Sequence, residues 1–208
     1  YKNFFLRFLS SLFLTFIYLV LFIYYSNGII YFVTLAYFAI LIEIFIYFNR
    51  FKYILITYIV LSYTCVVYYF NYNFNIYEFT AIILFISCFD ISCYIFGKIF
   101  GSNKILINIS PSKTLEGLMG GILTTNLVSI MVSMYINVPQ YLNSGNLLIT
   151  TNLIILFSFF GDLIQSYFKR LNNLKDSGKY IPGHGGFFDR FDSFLLVIIP
   201  LSFLKILF

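Results

Sequence analysis

The chain is dominated by long apolar runs that are separated by short polar segments. Seven of these runs each have the roughly 20 residues that a transmembrane helix needs. They cover Phe8–Tyr25, Ile29–Phe48, Tyr53–Phe70, Phe79–Phe100, Leu115–Ile136, Leu147–Phe168 and Phe188–Leu207. Because a helix satisfies its own backbone N–H and C=O groups where no water is available, we predict an all-α fold. The predicted architecture is a polytopic membrane helix bundle with about seven transmembrane helices.

The composition supports this class of protein and excludes others. Hydrophobic residues make up 61% of the 208 residues and charged residues only 10%, whereas soluble domains carry about 25% charged residues. So few charged side chains cannot cover a water-exposed surface, which excludes a soluble enzyme, a disordered tail and a nucleic-acid-binding module. We predict one integral membrane domain over residues 1–208, with N-terminal helices over about 1–80 and a catalytic region over 81–208.

Basic residues mark one face of the predicted bundle. Of the 13 Lys and Arg residues, 12 lie before the first run or around the segments that follow the second, fourth and sixth runs. Lys205 falls on the other side. Because segments rich in Lys and Arg stay in the cytoplasm, this pattern predicts a multi-pass protein of the inner cell membrane with a cytoplasmic N-terminus.

Several carboxylates stand inside the predicted spans, where an ionisable group is costly and marks a functional candidate. Asp90 and Asp162 each lie about 10 Å below the predicted cytoplasmic face, at a rise of 1.5 Å per residue. Asp189 and Asp192 enter the last run from the same face. Three helices are therefore predicted to bring carboxylates to one depth. Oxygen ligands of this kind suit a divalent cation such as Mg²⁺ that also binds phosphates.

Glu43 is a weaker candidate than the other buried acids. It stands alone, about a turn and a half from the cytoplasmic end of the second run. From that position its side chain could reach Arg50 or Lys52. A structural role is therefore the favoured interpretation.

Helical spacing groups polar residues of the sixth run on one face. This stripe consists of Ser158, Asp162, Ser166 and Lys169. Because it ends in a Lys–Arg pair, we interpret it as part of a functional site. The fifth run has a face of small residues, Gly117, Gly120, Gly121 and Thr124. We interpret that face as a packing surface, which permits a homodimer without requiring one.

The segment 166–192 combines basic residues, glycines and acids. Its basic residues, which can bind several phosphate charges, are Lys169, Arg170, Lys175, Lys179 and Arg190. Its glycines, which let the backbone approach an oxyanion closely, include Gly183, Gly185 and Gly186. Asp162 lies just before this segment and Asp189 lies near its end, and the two are predicted to hold a cation between them. A basic loop that only meets anionic lipid would leave these acids and His184 unexplained.

This segment resembles the signature of the phosphatidate cytidylyltransferase (CDP-diacylglycerol synthase) family. The matching residues are Ser166, Lys169, Arg170, Lys175, Asp176, Gly178, Ile181, Pro182, His184, Gly185, Gly186, Asp189, Arg190 and Asp192. A second block that resembles the family covers Ser110–Gly117, and a weaker third one covers Asp90, Tyr94 and Gly97. The resemblance extends from about Asp90 to the C-terminus.

The resemblance implies an enzyme that transfers the cytidylyl group of CTP to phosphatidic acid, giving CDP-diacylglycerol and pyrophosphate in phospholipid biosynthesis. It implies Mg²⁺, with a monovalent cation such as K⁺ beside it. The catalytic residues would be Asp162, Asp189, Lys169, Arg170 and His184, with the two aspartates as metal ligands. The substrate-binding residues would be Ser110, Lys113, Thr114, Ser166, Lys175, Asp176, Gly185, Gly186, Arg190 and Asp192. For His184, a positioning hydrogen-bond donor is favoured over a proton carrier.

The residues leave two other functions open. A secondary transporter for an anionic solute would also have buried acids and a basic vestibule, but it would need polar residues through the full depth of the membrane. A related membrane kinase that uses CTP to phosphorylate a lipid alcohol would release CDP rather than pyrophosphate. The ionisable groups cluster at one face of the predicted bundle, which favours an interfacial enzyme.

Overall fold

The computed structural model describes residues 2–72, 74–106, 109–135, 144–178, 180 and 185–207. Across these ranges it has seven α-helices, which confirms the predicted helical bundle. They are α1 (Lys2–Tyr24), α2 (Ile29–Tyr47), α3 (Lys52–Tyr72), α4 (Ile76–Phe100), α5 (Leu115–Tyr135), α6 (Ser144–Leu171) and α7 (Phe188–Leu207). A short 3₁₀ turn, Ser26–Gly28, joins α1 to α2. Two strands, β1 (Lys104–Leu106) and β2 (Ser110–Thr114), form an antiparallel hairpin between α4 and α5, which the sequence did not predict.

Five helical segments of the described chain are long and apolar enough to cross a membrane. They cover Ser26–Tyr47, Lys52–Tyr72, Ile76–Phe100, Leu115–Met134 and Leu147–Leu171. In α1 the corresponding apolar stretch is the shorter segment Thr15–Tyr24. α7 carries Asp189, Arg190 and Asp192 in its first five residues. That α1 and α7 also cross the bilayer stays a prediction.

Local capping explains why some helices are longer than their apolar runs. The side chain of Asn75 accepts a hydrogen bond from the backbone N–H of Tyr77 at 2.9 Å, so α4 begins at Ile76 rather than at the predicted Phe79. At its other end, α6 continues to Leu171 and is followed by a residue in the left-handed region, Asn173 (φ 56°). Such a residue is a common helix terminator. Residues 136–143, between α5 and α6, lie outside the described ranges. α6 begins at Ser144, before the predicted run Leu147–Phe168.

The hydrophobic core is built around α7, against which α3, α6 and α2 are arranged. Leu195, Val197 and Ile198 of α7 are fully buried within this core. A buried polar chain reinforces the packing, because the hydroxyl of Ser62 in α3 donates to the carbonyl of Leu195 at 2.7 Å. The hydroxyl of Tyr37 in α2 lies 2.6 Å from the same Ser62 hydroxyl. These contacts therefore connect α7, around Leu195, to α2 and α3.

The predicted small-residue face of α5 packs directly against α4. A Cβ atom at Gly117 would lie 2.6 Å from the carbonyl oxygen of Cys93 and 3.1 Å from the Cα atom of Gly97. Only a residue without a side chain allows two helix backbones to come this close. This contact brings the first turn of α5, and the hairpin that precedes it, beside Asp90 on α4.

Three basic segments gather at one end of the bundle. The side-chain oxygen of Asn172, just after α6, accepts hydrogen bonds from the backbone N–H groups of Asn49 and Arg50 at 2.9 and 2.7 Å. The guanidinium of Arg170 donates to the carbonyl oxygen of Ile109 in the hairpin at 3.4 Å. The turn between α2 and α3, the hairpin and the segment after α6 therefore form one surface, as the distribution of basic residues predicts.

Candidate active site

A cavity of about 260 Å³ opens between α4, α5, α6 and α7 beside this basic end. Four acidic residues that the sequence predicts to share one depth all line it, namely Asp90, Asp162, Asp189 and Asp192. Lys113 and Thr114 of the hairpin line it from another side, together with the apolar side chains of Phe89, Leu118 and Phe159. The cavity therefore combines an ionic part with an apolar wall, as a ligand with a charged head and an apolar body would require.

Lys113 and Asp162 form an ion pair across this cavity. The ammonium of Lys113 lies 2.7 Å from Oδ2 of Asp162, and the two side chains are 19% and 33% exposed. The same ammonium lies 4.5 Å from the centre of the Phe159 ring, a cation–π distance. The hydroxyl of Ser166 donates to Oδ1 of Asp162 at 3.3 Å. The hairpin thus places its lysine over the acid of α6.

Asp189 is held by five donors at the start of α7. Its Oδ1 accepts from the ammonium of Lys169 at 2.8 Å and from the amide of Gln165 at 2.9 Å. Its Oδ2 accepts from the backbone N–H of Ser177 at 2.7 Å, from the Ser177 hydroxyl at 3.1 Å and from the backbone N–H of Gly186 at 3.1 Å. The Lys169 and Asp189 side chains are 14% and 10% exposed. This carboxylate therefore organises both sides of the segment that follows α6.

The two predicted metal ligands face the same cavity, but each is paired with a lysine. Among the described residues no group of three or more His, Cys, Asp or Glu side chains is arranged as a metal site. The donor set nevertheless fits a hard cation, because Asp90 and Asp192 line the cavity beside Asp162 and Asp189 and supply carboxylate oxygens. A cation shared by Asp162 and Asp189 stays a prediction.

The two hydroxyl residues of the hairpin that are predicted to bind substrate, Ser110 and Thr114, occupy different positions. Thr114 is buried, and its hydroxyl oxygen accepts a hydrogen bond from the backbone N–H of Gly117 at 3.2 Å, which caps the start of α5. Ser110 pairs with Leu106 at the beginning of β2 and is not among the residues that line the cavity. The contact of these two residues with substrate stays a prediction. Thr114 also has a structural role, because it caps α5.

The remaining polar signature residues of the described chain are not among the residues that line the cavity. The guanidinium of Arg170 donates to the carbonyl of Leu174 at 3.4 Å, as well as to Ile109, and so supports the hairpin and the segment after α6. Lys175, Asp176 and Arg190 are exposed.

The backbone conformation at position 185 requires a glycine. Its φ angle is 86°, and a Cβ atom there would lie 2.8 Å from Oδ2 of Asp189. Gly186 donates its backbone N–H to the same carboxylate oxygen. These predicted ligand-binding glycines therefore at least serve to shape the segment around Asp189. His184 lies outside the described residues, and its predicted role stays a prediction.

Two contacts of Asp189 were not identified from the sequence. Gln165 lies three residues after Asp162 and four before Lys169, so it belongs to the same polar face of α6, and helical spacing alone could have identified it. Ser177 carries no such signal. Its contact with Asp189 depends on the path of an irregular segment, which spacing does not define.

The fold and this site together define a polytopic membrane protein with an ionic cavity at its basic end. The model of the cytidylyltransferase family matches residues 1–208. The chain belongs to this family, which confirms the resemblance drawn from its signature residues.

Curated relatives give the family a more specific context. The phosphatidate cytidylyltransferase of Staphylococcus epidermidis is 44% identical over 117 residues, and those of Staphylococcus haemolyticus and Staphylococcus aureus are 43% and 42% identical over the same number. Each match covers 56% of this chain and 44% of the relative. The chain therefore spans less than half the length of the curated relatives that it matches.

Proposed function

We propose that the protein transfers the cytidylyl group of CTP to phosphatidic acid, forming CDP-diacylglycerol and pyrophosphate in phospholipid biosynthesis. The observation that carries this proposal is the cavity lined by Lys113, Asp162 and Asp189. There Asp162 is ion-paired with Lys113, and Asp189 is ion-paired with Lys169. Membership of the cytidylyltransferase family and the name of the curated relatives support it.

The position of the cavity suits two substrates of different solubility. CTP is water-soluble, whereas the phosphate of phosphatidic acid lies at the headgroup level of a bilayer. A cavity at the basic end of an apolar bundle is a place where both can bind. We propose that this end faces the cytoplasm, which is supported by the 12 of 13 basic residues that the sequence distributes to one side.

In the proposed reaction a phosphate oxygen of phosphatidic acid attacks the α-phosphorus of CTP. The bond between the α-phosphorus and the oxygen that bridges to the β-phosphate breaks, and pyrophosphate leaves with that electron pair. The attacking oxygen is already anionic near neutral pH, so the reaction needs no strong general base. The main barrier is the repulsion between two polyanions, which positioned cations lower.

The lysines of the site are placed for this task before substrate binds. Asp162 holds Lys113 at the cavity, and Asp189 holds Lys169 beside it. Both ammonium groups can therefore bind a phosphate oxygen without first being ordered, which reduces the entropic cost of substrate binding. Arg170, Lys175 and Arg190, which are exposed and belong to the same signature segment, are proposed to add positive charge for substrate binding.

Asp162 and Asp189 are the residues proposed to hold Mg²⁺, with the carboxylates of Asp90 and Asp192 in the same cavity. When bound, Mg²⁺ supplies charge stabilisation for the phosphates and the leaving pyrophosphate. A monovalent cation beside it is proposed from the family resemblance alone.

The proposed reaction is tested with the purified protein in detergent, labelled CTP, phosphatidic acid and Mg²⁺. We expect a labelled lipid that mass spectrometry identifies as CDP-diacylglycerol, with one pyrophosphate released per lipid and no reaction in EDTA. Release of CDP with a phosphorylated lipid would instead identify a kinase. Solute flux without consumption of CTP would identify a transporter.

Replacing Lys113 by Ala is expected to raise the Michaelis constant for CTP or phosphatidic acid about tenfold, since a charge-assisted hydrogen bond to phosphate contributes roughly 1.5–3 kcal/mol. Steady-state kinetics with each substrate varied in turn measures this change. Lys104→Ala is the matched control, because Lys104 is an exposed lysine on the other strand of the same hairpin. Unchanged Michaelis constants for both substrates in Lys113→Ala would remove Lys113 from the site.

A further inference from the structure

We infer that Glu43 of α2 is a positioning residue for this site: its carboxylate fixes the start of α7 and thereby the place of Asp189 and Asp192. The inference rests on the proposed function and deepens it. It assigns a task to the N-terminal helices, which lie outside the part of the sequence that resembles the family signature.

The carboxylate of Glu43 bonds directly to the start of α7. Its Oε1 accepts from the backbone N–H of Phe187 at 2.7 Å, and its Oε2 accepts from the backbone N–H of Phe188 at 3.0 Å. The first N–H groups of a helix have no partner within the helix, and the helix dipole favours a negative charge there. A residue from a different helix thus supplies the cap that α7 needs.

One hydroxyl connects Glu43 to the catalytic carboxylate. The buried Ser177 hydroxyl lies 3.1 Å from Oε2 of Glu43 and 3.1 Å from Oδ2 of Asp189. A hydroxyl has a single proton to donate, so the two carboxylates share one donor. A change in the position or charge of Glu43 is therefore passed to Asp189 through Ser177 as well as through the first turn of α7.

Glu43 also accounts for two glycines of the signature. A Cβ atom at Gly178 would lie 2.8 Å from Oε1 of Glu43, and one at Gly186 would overlap Oε2 of Glu43 and the Ser177 hydroxyl. Neither glycine has a φ angle in the left-handed region. The absence of a side chain at these two positions is therefore explained by the space that the Glu43 carboxylate occupies.

The partners of Glu43 differ from those that its sequence position suggested. Its side chain is fully buried, and its described hydrogen bonds go to Ser177, Phe187 and Phe188 rather than to Arg50 or Lys52. The ammonium of Lys52 instead lies over the Phe45 ring, at 4.6 Å from its centre. Burying a carboxylate is costly. Here the charge is compensated by donors from both the start of α7 and Ser177, the residue that also contacts Asp189, which points to a task in ordering Asp189.

Glu43→Gln is the main test, because it keeps the shape but replaces one acceptor oxygen by a donor. Hydrogen exchange of the purified protein in detergent reports on the amides of Phe187 and Phe188, which we expect to exchange at least about tenfold faster in the variant. Glu78→Gln is the matched control, since Glu78 is also a buried carboxylate but lies at the other end of α4 from the cavity. It should leave exchange at 185–192 unchanged.

A second measurement reports on Mg²⁺ binding rather than on the amount of folded protein. The thermal midpoint is measured as a function of Mg²⁺ concentration. We expect the half-saturating Mg²⁺ concentration to rise about tenfold in Glu43→Gln, because loss of a group that orients a metal ligand typically weakens metal binding by at least about this factor. Glu43→Asp, which retains the charge, should recover part of this loss. A variant that merely folded less well would lower the midpoint at every Mg²⁺ concentration without moving the half-saturation point.

Unchanged exchange at Phe187 and Phe188, or a half-saturating Mg²⁺ concentration within twofold of the wild-type value, would overturn the inference. Both measurements are independent of turnover. If the wild-type protein forms no CDP-diacylglycerol, the proposed reaction fails, while exchange and Mg²⁺ binding still decide whether Glu43 positions Asp189.

A double-mutant cycle tests the explanation of the glycines. Gly178→Ala should lower the thermal midpoint by several degrees in the wild-type background, because the new methyl group meets the Glu43 carboxylate. In a Glu43→Ala background that carboxylate is absent, so the same change should cost much less. Additive effects of the two substitutions would contradict the proposed contact.

Discussion

Replacing Asp189 by Asn is expected to lower CTP-dependent pyrophosphate release about a thousandfold. The carboxylate holds Lys169, lines the cavity and is one of two proposed cation ligands. Loss of an electrostatic contact of this kind typically costs a factor of about 10²–10³ in turnover, and the loss of a proposed cation ligand adds to it. The measurement is single-turnover formation of CDP-diacylglycerol at saturating CTP.

The same substitution is also expected to destabilise the protein. Asp189 accepts from five donors, and an Asn amide would turn a donor toward either the Lys169 and Gln165 side or the Ser177 and Gly186 side. Breaking a largely buried ion pair costs about 3–5 kcal/mol, which corresponds to a fall of roughly 6–20 °C in thermal midpoint for a chain of this size. Glu78→Gln again serves as control. Near-normal turnover in Asp189→Asn would remove Asp189 from the catalytic site.

The helices could be predicted from the sequence because bilayer thickness fixes the length of an apolar crossing. Each of the seven predicted runs corresponds to a helix of the described chain, and α7 has the predicted limits Phe188–Leu207. The starts and ends of other helices could not be placed as well. They depend on single capping contacts such as that of Asn75, which extend a helix beyond its apolar run.

The hairpin between α4 and α5 could not be predicted from the sequence. Its strands have three and five residues, and β2 contains Pro111 between two serines, so neither strand shows the alternation of apolar and polar residues that indicates a half-buried strand. Yet this hairpin determines where Lys113 points. The sequence identified the lysine as a substrate-binding candidate but not its ion pair with Asp162.

The common depth of the acids was predictable, whereas their partners were not. Depth follows from the constant rise of a helix, which places Asp90 and Asp162 at one level, and Asp189 enters the last run from the same face. Partners depend on how each helix is rotated about its axis and on the path of the loops. The sequence of Glu43 and its neighbours favours a structural role. Its contact with the start of α7 depends on the three-dimensional arrangement and is seen only in the structure.

Replacing Asp162 by Asn should separate catalysis from folding. Its described hydrogen-bond and ion-pair partners are Lys113 and Ser166, and its side chain is 33% exposed. Because a partly exposed ion pair contributes only about 0–1 kcal/mol to stability, we expect a thermal midpoint within about 3 °C of wild type. Turnover should nevertheless fall by about a thousandfold, as for Asp189→Asn, if Asp162 holds the cation.

A cycle with Lys113→Ala distinguishes two tasks that Asp162 could have. If Asp162 only orients Lys113, then Asp162→Asn and Lys113→Ala should lower turnover equally, and the double variant should be no worse than either one. If Asp162 also binds the cation, then Asp162→Asn should be at least about 100-fold slower than Lys113→Ala. Its half-saturating Mg²⁺ concentration should rise as well, whereas that of Lys113→Ala should fall or stay unchanged, because removing the ammonium leaves the carboxylate free to bind Mg²⁺. Equal turnover in the two single variants, with unchanged Mg²⁺ dependence in both, would exclude Asp162 as a metal ligand.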